Sequence, residues 1–152
     1  MCIELIEISK SLLTPVIAGV TTYIALQQWK TNKYKFVLDR FDRRFQIYEE
    51  VKKILNILIK DENVKKEDIL KFRSSVSTSG FLFKPEIPTY IDEIYKHGLN
   101  MRRCKKNILP NTKENIDNNN KFNDEINNEL MWFARQFDVV EIKFKKYLDI
   151  SM

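Results

Sequence analysis

Two patterns of hydrophobic residues run along this sequence. Leu12 to Leu26 form a run of 15 uncharged, mostly apolar residues, whereas from about residue 30 onward apolar side chains recur at every third or fourth position. No segment alternates polar and apolar residues as a half-buried strand would. We therefore predict an all-α protein, with a membrane-spanning segment at residues 1–29 and a cytosolic helical bundle at residues 30–152.

The uncharged run can be interpreted in three ways. A secretory signal is disfavoured, because Glu4 and Glu7 precede the run and no small-residue cleavage site follows it. A buried core helix is the stronger alternative, since 15 helical residues rise only about 22 Å while the hydrocarbon layer is about 30 Å thick. Ser11 and two glutamines extend the uncharged run to 18 residues, and Trp29 followed by lysines is typical of a membrane interface. We therefore predict one transmembrane helix, with the N-terminus outside and the bulk of the chain in the cytoplasm.

Small and polar side chains recur in this segment at steps of four and three, which places them along one side of a helix. These residues, here called the small-residue seam, are Glu7, Ser11, Thr14, Ala18, Thr21, Ala25 and Gln28. Such a seam lets helix backbones approach closely in lipid, and in a ring of helices it would line a water-filled lumen. We therefore expect a homo-oligomer in a lipid bilayer, held together either by simple helix pairing or around a pore.

The chain continues from this segment without a helix-breaking residue. Residues 30–60 contain no glycine or proline, and their apolar side chains are typical of one long amphipathic helix that Asp61 to Asn63 end. The apolar positions are Leu38, Phe41, Phe45, Tyr48, Val51, Leu55 and Leu58.

The segment after this long helix predicts a second helix and an apolar turn. The second helix spans about residues 65–79 and ends at Gly80, whose position suits a C-terminal cap. Two prolines follow in the turn, in which we expect Phe81 and Phe83 to fill the core.

Two more helices complete the predicted bundle. The third helix runs from about Thr89 to Lys106, before Pro110, and residues 110–127 form an asparagine-rich loop with a fraying helix start. The last helix, about residues 122–149, carries a run of apolar side chains at steps of four and three. These are Phe133, Phe137, Val140, Phe144 and Tyr147. Four cytosolic helices with such faces predict an antiparallel bundle.

Composition adds little chemistry to this architecture. The net charge of +5 comes from 26 basic and 21 acidic residues spread along the chain, which does not by itself indicate a nucleic-acid partner. Cys2, Cys104 and the single His97 do not have the spacing of a zinc site. No phosphate-binding loop, metalloprotease motif or nucleophile with a neighbouring base is present. We therefore predict a protein without catalytic residues, metal, cofactor or small-molecule substrate, in which His97 is a surface or half-buried residue.

The densest basic cluster lies at the predicted end of the third helix. It consists of Arg102, Arg103, Lys105 and Lys106. Cations stabilise the C-terminal end of a helix dipole, which is the simpler explanation. The alternative is a site for an anionic ligand such as RNA, a nucleotide or lipid, although no aromatic residue is interleaved to stack a base.

Three stretches carry a resemblance to small bacterial proteins with one N-terminal span and a helical cytosolic domain. They read YIALQQWKTNKYKFVLDRFDRRFQIYEEV, SGFLFKPEIPTYIDEIYKHGL and LMWFARQFDVVEIKFKKYL. The layout is also similar to that of the accessory membrane proteins found beside type VI-B CRISPR effectors. That resemblance implies a pore-like ring of about eight subunits in the bacterial inner membrane. It also implies a role in antiviral defence, with the effector ribonuclease or its products as partners.

The sequence departs from this family at one motif. Its members are described as carrying a degenerate HEPN motif, in which an arginine precedes a histidine by four to six residues, whereas the nearest arginine before His97 is Arg73. A divergent ribonuclease is therefore the weakest of three hypotheses. The preferred hypothesis is an oligomeric, pore-like membrane protein that acts without catalysis. The alternative is a membrane-anchored helical module that binds a partner protein or an anionic ligand.

Overall fold

The structure is a computed structural model, and it describes residues 2–60, 64–108 and 115–149, with side chains from residue 15 onward. Its helices are α1 (Cys2–Lys60), α2 (Lys66–Ser75), α3 (Ser79–Leu82), α4 (Glu86–Asn107) and α5 (Ile116–Lys145). These ranges contain no strand. The prediction of an all-α protein is confirmed, with four long helices and one four-residue helical turn.

Helix α1 is continuous over 59 residues and contains Pro15. The expected continuation of the first segment into a long amphipathic helix is therefore confirmed. The chain divides into two units, one at residues 1–40 and one at residues 41–152. The described residues of the first unit are all helical, and nearly all of its described side chains are exposed.

In the part of the chain that the structure describes, no helix is long and apolar enough to cross a membrane. The predicted transmembrane helix at residues 1–29 is therefore not supported. The uncharged run is short, and its polar Thr21, Thr22 and two glutamines reduce its mean hydropathy before Lys30 ends it. Of the small-residue seam, Glu7, Ser11 and Thr14 lie outside the residues whose side chains are described.

The hydrophobic core lies in the second unit, between the later part of α1 and helices α2, α4 and α5. Helix α1 contributes Ile47, Val51, Ile54, Leu55 and Leu58 to this core. From α4 come Ile87, Tyr90, Ile91, Ile94 and Met101, and from α5 come Phe133, Val140 and Phe144. The apolar faces predicted for the long helix and for the last helix are therefore largely confirmed.

Two positions of the predicted face on α1 are wrong. Leu38 is 45% exposed and Phe45 is 39% exposed. The buried side of α1 passes through Ile47 and Ile54, so Phe45 lies to the side of it. The Phe45 ring instead contacts the rings of Phe41 and Tyr48 along the helix, with both centroid distances at 5.9 Å.

Helices α4 and α5 are antiparallel. Side-chain contacts between them include those from Tyr90 to Gln136, from His97 to Glu129 and from Cys104 to Glu125. The residue number rises along α4 while it falls along α5, which is the pattern of antiparallel neighbours. The predicted bundle arrangement is confirmed for this pair.

The connection between α2 and α4 differs from the prediction. Helix α2 ends at Ser75, where the Val76 amide donates to the Phe72 carbonyl oxygen. Gly80 is therefore not a C-terminal cap: it lies inside the short helix α3, and no described glycine has a positive φ. The predicted end of the second helix at residue 79 is wrong, because the chain turns at residues 76–78 before α3 begins.

The two phenylalanines of this connection have opposite surroundings. Phe83 is buried as predicted, with its ring centroid 5.3 Å from that of Phe144 and 5.2 Å from that of Tyr147. Phe81 is 93% exposed, so the prediction that it fills the core is wrong. The helical turn of α3 places Ser79 inward and therefore directs position 81 outward.

Both later helices begin earlier than predicted. Helix α4 begins at Glu86 instead of Thr89, and α5 spans Ile116–Lys145 instead of 122–149. The asparagine-rich stretch is helical from residue 116 because Asn119 is buried, so packing outweighs the weak helix propensity of asparagine there. The predicted loop around Pro110 lies outside the described residues.

Candidate functional site

The longest exposed apolar surface belongs to residues 15–38 of α1, here called the N-terminal apolar segment. Its large apolar side chains are roughly half exposed or more. They are Val16, Ile17, Val20, Tyr23, Ile24, Leu26, Trp29, Tyr34, Phe36 and Leu38. Exposed threonines, glutamines and lysines lie between these apolar side chains.

Some of the large and small side chains of this segment lie at different angles around the helix. At 100° per residue, Val16, Val20 and Ile24 are centred about 130° from Ala18, Thr21 and Ala25, and Ile17 falls between the two groups. The seam residues Ala18, Thr21, Ala25 and Gln28 are all exposed. The other side chains of residues 15–36 are exposed as well, so the small-residue seam stays a prediction.

The threonine hydroxyls of this segment are hydrogen-bonded within the helix. Thr21 Oγ1 donates to the carbonyl oxygens of Ile17 and Ala18, at 2.9 and 3.0 Å. Thr22 Oγ1 donates to the Ala18 carbonyl oxygen at 2.8 Å, and Thr31 Oγ1 to that of Gln27 at 3.0 Å. Because each hydroxyl already has an acceptor, its transfer out of water costs less than that of an unpaired hydroxyl.

Cations and aromatic rings alternate at the C-terminal part of the segment. The Lys33 ammonium lies 5.6 Å from the centre of the Trp29 ring, and the Arg40 guanidinium lies 4.9 Å from that of Phe36. Lys30 and Lys35 are exposed. Tryptophan beside lysine is the combination found at the level of lipid headgroups.

The basic cluster at residues 102–106 lies in the last turns of α4, as predicted. Met101 and Cys104 point into the core, so the four cations spread over the outer half of the helix. The Arg103 guanidinium donates to the Asn100 side-chain oxygen at 2.7 Å. This placement fits stabilisation of the helix dipole, and the anionic-ligand hypothesis for Arg102, Arg103, Lys105 and Lys106 stays a prediction.

A polar cluster that the sequence does not predict lies between α4 and α5. His97 Nδ1 lies 2.6 Å from one carboxylate oxygen of Glu129, and the Asn100 side-chain amide donates to the other at 2.7 Å. The His97 ring stacks on Trp132 with centroids 3.8 Å apart. Both oxygens of this buried carboxylate are used by the protein itself, so the arrangement holds the two helices together.

The expectation that His97 is half-buried is confirmed, but the residue is not alone as its sequence context suggests. A clue to its partner exists in the sequence, because Glu129 and Gln136 occupy the same helical register as the core residues Phe133 and Val140. Among the described residues, no three His, Cys, Asp or Glu side chains are placed to hold a metal ion.

A second polar cluster joins α1, the α3 turn, α4 and the end of α5. Arg44 donates from Nε to the Leu82 carbonyl oxygen at 3.0 Å, and from its terminal nitrogen to the Tyr147 carbonyl oxygen at 3.3 Å. The Tyr147 hydroxyl donates to Glu86 at 2.8 Å, and Lys146 pairs with the same carboxylate. The hydrogen bond from Lys146, followed by that from Tyr147, lowers the pKa of Glu86.

Comparisons of the chain with models of protein families, with curated proteins and with solved structures found no match. The resemblance to CRISPR-associated membrane proteins therefore stays a prediction.

Proposed function

We propose that this protein acts without catalysis as a membrane-associated, self-assembling helical protein. The N-terminal apolar segment lies in lipid and meets copies of itself along the small-residue seam, while the helical bundle of residues 41–149 remains in water. The observation that carries this proposal is the row of exposed apolar side chains from Val16 to Leu38.

The hydrophobic effect supports the lipid contact. Complete burial of a fully exposed valine, leucine, isoleucine or phenylalanine side chain contributes about 1.5–3 kcal/mol, and this segment has seven such side chains that are about half exposed or more. The backbone polar groups are satisfied within the helix, and the threonine hydroxyls are too. In the uncharged part of the segment, the remaining cost of entering lipid comes mainly from the two glutamines, one of which, Gln27, donates to the Tyr23 hydroxyl at 3.1 Å.

The charges that follow the apolar run support the same arrangement. Trp29, Lys30, Lys33 and Lys35 come directly after it, and lysines near an anionic lipid surface each contribute about 1 kcal/mol of attraction. The segment therefore has an apolar part for the acyl chains and a cationic, aromatic part for the headgroups.

In its most specific form the proposal is a pore-like ring in the bacterial inner membrane that serves antiviral defence. This form rests on the resemblance and on the seam. It assigns Ala18, Thr21, Ala25 and Gln28 to the surface between subunits or to the lumen. Conductance across planar bilayers tests it separately from membrane association.

The test of membrane association compares two lysine pairs in the full-length protein. Val20→Lys with Ile24→Lys places two charges on the large apolar side, whereas Thr31→Lys with Asn32→Lys adds the same charge beyond Trp29. We expect the first pair to move the protein from the membrane pellet to the soluble fraction, and to abolish its flotation with vesicles.

The second pair should leave the protein in the membrane fraction. All four positions are exposed, so circular dichroism and thermal unfolding should stay unchanged and show that the fold is intact. Wild-type protein in the soluble fraction, or a Val20→Lys, Ile24→Lys variant that still floats with vesicles, would contradict the proposal.

A further inference from the structure

Phe81 is the most exposed large hydrophobic residue among the described side chains, at 93%. A single exposed apolar residue is common on protein surfaces and indicates nothing by itself. Two further features distinguish this one, namely the rigidity of the turn that carries it and the charges around that turn.

The turn is held on both sides of Phe81. The Phe81 amide donates to the carbonyl oxygen of Thr78 at 3.0 Å. The Phe83 amide donates to the carbonyl oxygen of Ser79, also at 3.0 Å. Arg44 donates to the carbonyl oxygen of Leu82, the next residue. Because the backbone is fixed by these bonds, the Phe81 ring projects from a preformed turn and loses little entropy when it is buried.

Cations surround the base of this turn. Arg44 lies over the rings of Phe83 and Tyr147 at 5.7 and 5.5 Å, and Lys146 lies over Tyr147 at 5.2 Å. Lys84 is exposed three residues after Phe81. These cations and the Phe81 turn belong to one cluster, since Arg44 donates hydrogen bonds to the carbonyl oxygens of both Leu82 and Tyr147.

Glu86 belongs to the same cluster. It is shared by Lys146 and the Tyr147 hydroxyl, and Lys143 acts on it through space. The cations near the turn are thus Arg44, Lys84, Lys143 and Lys146, and the Phe81 ring protrudes from the turn.

We infer that the Phe81 turn is a second lipid contact of this protein, in which the Phe81 ring enters the headgroup region of an anionic bilayer and the cations around the turn meet lipid phosphates. This arrangement fits lipid because one ring without an apolar patch around it offers little area to a protein partner, whereas aromatic insertion combined with cations suits an interface. The inference rests on the proposed function, since it requires the protein at a membrane.

The test places an environment-sensitive fluorophore at position 81 of the full-length protein. Cys2→Ser with Phe81→Cys provides one reactive thiol for a nitrobenzoxadiazole label. Burial, with help from Glu125, raises the pKa of the Cys104 thiol to about 11, so that thiol reacts slowly at neutral pH. Met131→Cys is the matched control, because Met131 is an exposed apolar residue in the middle of α5.

Both labelled proteins are incubated with vesicles of phosphatidylcholine alone and of an equal mixture with phosphatidylglycerol. We expect the label at position 81 to shift to shorter wavelength on the anionic vesicles and to be quenched by brominated lipid. The label at position 131 should do neither. Lys84→Glu should raise the anionic lipid concentration at half-maximal response by about fivefold or more, and Lys121→Glu at the other end of α5 should not.

Flotation of the same samples separates the two proposals. A protein that floats with vesicles while the label at position 81 behaves like that at position 131 overturns this inference and leaves the proposed function standing. A protein that does not float overturns both. An equal response on neutral and anionic vesicles overturns the part assigned to the cations.

Discussion

Glu129 is a carboxylate buried between two helices, with both of its oxygens hydrogen-bonded. A buried carboxylate is costly unless its hydrogen-bonding capacity is used, and here His97 and Asn100 use it. In the described part of the chain, no buried side-chain nitrogen or oxygen lacks a partner. The cluster is therefore sensitive to the loss of any member.

We predict that Glu129→Ala lowers the free energy of unfolding by about 1–3 kcal/mol, because it leaves the buried edges of His97 and Asn100 without an acceptor. Urea unfolding followed by circular dichroism measures this change. Asp124→Ala is the control on an exposed position of the same helix and should stay within about 0.5 kcal/mol of the wild type. Equal stability of the two variants would show that the cluster contributes nothing.

A second residue-scale prediction concerns pH. The folded protein lowers the pKa of Glu86 below its ordinary value of 4.5, chiefly through the hydrogen bond from Lys146. A carboxyl with a lowered folded-state pKa contributes stability above its unfolded pKa and loses it as the pH falls through the folded value. We expect the stability difference between wild type and Glu86→Gln to be constant near neutral pH and to shrink as the pH falls below 4.5.

The same hydrogen bond provides an independent check of this prediction. It raises the pKa of Lys146, so Lys146 contributes stability below its ordinary pKa of 10.5 and loses it as the pH rises above that value. Lys146→Met should reproduce the loss of acid dependence seen in Glu86→Gln. An acid dependence that survives in both variants would assign it to another carboxyl.

At the scale of single helices, Gly98 shows how closely α4 packs in the core. A Cβ atom added at Gly98 would lie 3.5 and 3.6 Å from the two methyl carbons of Leu58, and 3.8 Å from the Ile69 methyl. These are ordinary van der Waals distances, so alanine fits, and alanine is the better helix former by about 1 kcal/mol.

We predict that Gly98→Ala raises the free energy of unfolding by about 0.5–1 kcal/mol. Gly98→Leu should instead lower it by about 1–3 kcal/mol, since a larger side chain overlaps Leu58 and Ile69. Thermal and urea unfolding distinguish the two. Gly80→Ala is the matched control with open space around its Cβ, and a large loss of stability there would favour the C-terminal cap that the sequence suggests.

The helices themselves could be predicted from the sequence because an amphipathic face is a local, periodic pattern. Val51, Leu55 and Leu58 on α1 and Phe133, Val140 and Phe144 on α5 follow that pattern into the core. The α3 turn could not be predicted in this way. Arg44 donates a hydrogen bond to the Leu82 carbonyl oxygen of this turn and lies 38 residues earlier in the chain. A contact over that separation cannot be predicted from the local sequence pattern.

For the candidate site, the sequence predicts the register of the small-residue seam, because a helical segment keeps its register without any tertiary contact. The seam stays a prediction, since nearly every described side chain of residues 15–40 is exposed. Glu129 was missed because an isolated glutamate in a charged helix normally lies in solvent. The burial of Glu129 becomes apparent only when the spacing of the core residues Phe133 and Val140 is continued towards the N-terminus of α5.

At the scale of the whole molecule, the two units differ in how many of their apolar side chains are buried. The second unit has its own core, with Val51, Leu55 and Phe133 fully buried. The first consists of helix whose described side chains are exposed, and most of the stability of a helix in a protein comes from packing of its apolar face. The proposed function assigns lipid and other copies of the helix as the partners of its apolar side chains.

Self-assembly can be tested specifically, because the seam side chains are smaller than those of Val16, Val20 and Ile24. Lipid contact gains nothing from small side chains, whereas helix contact requires them, so leucine on the seam should block assembly without weakening membrane association. The seam variant carries Ala18→Leu, Thr21→Leu and Ala25→Leu. The control carries Val16→Leu, Val20→Leu and Ile24→Leu on the large apolar side.

Light scattering of the full-length protein in detergent, with the detergent mass subtracted, measures the outcome. We expect the wild type and the control to have a discrete mass several times 18.2 kDa, and the seam variant to fall to one subunit. A wild-type monomer would remove assembly from the proposal and leave a membrane-anchored module. A seam variant with the wild-type mass would remove the small-residue seam from the subunit contacts.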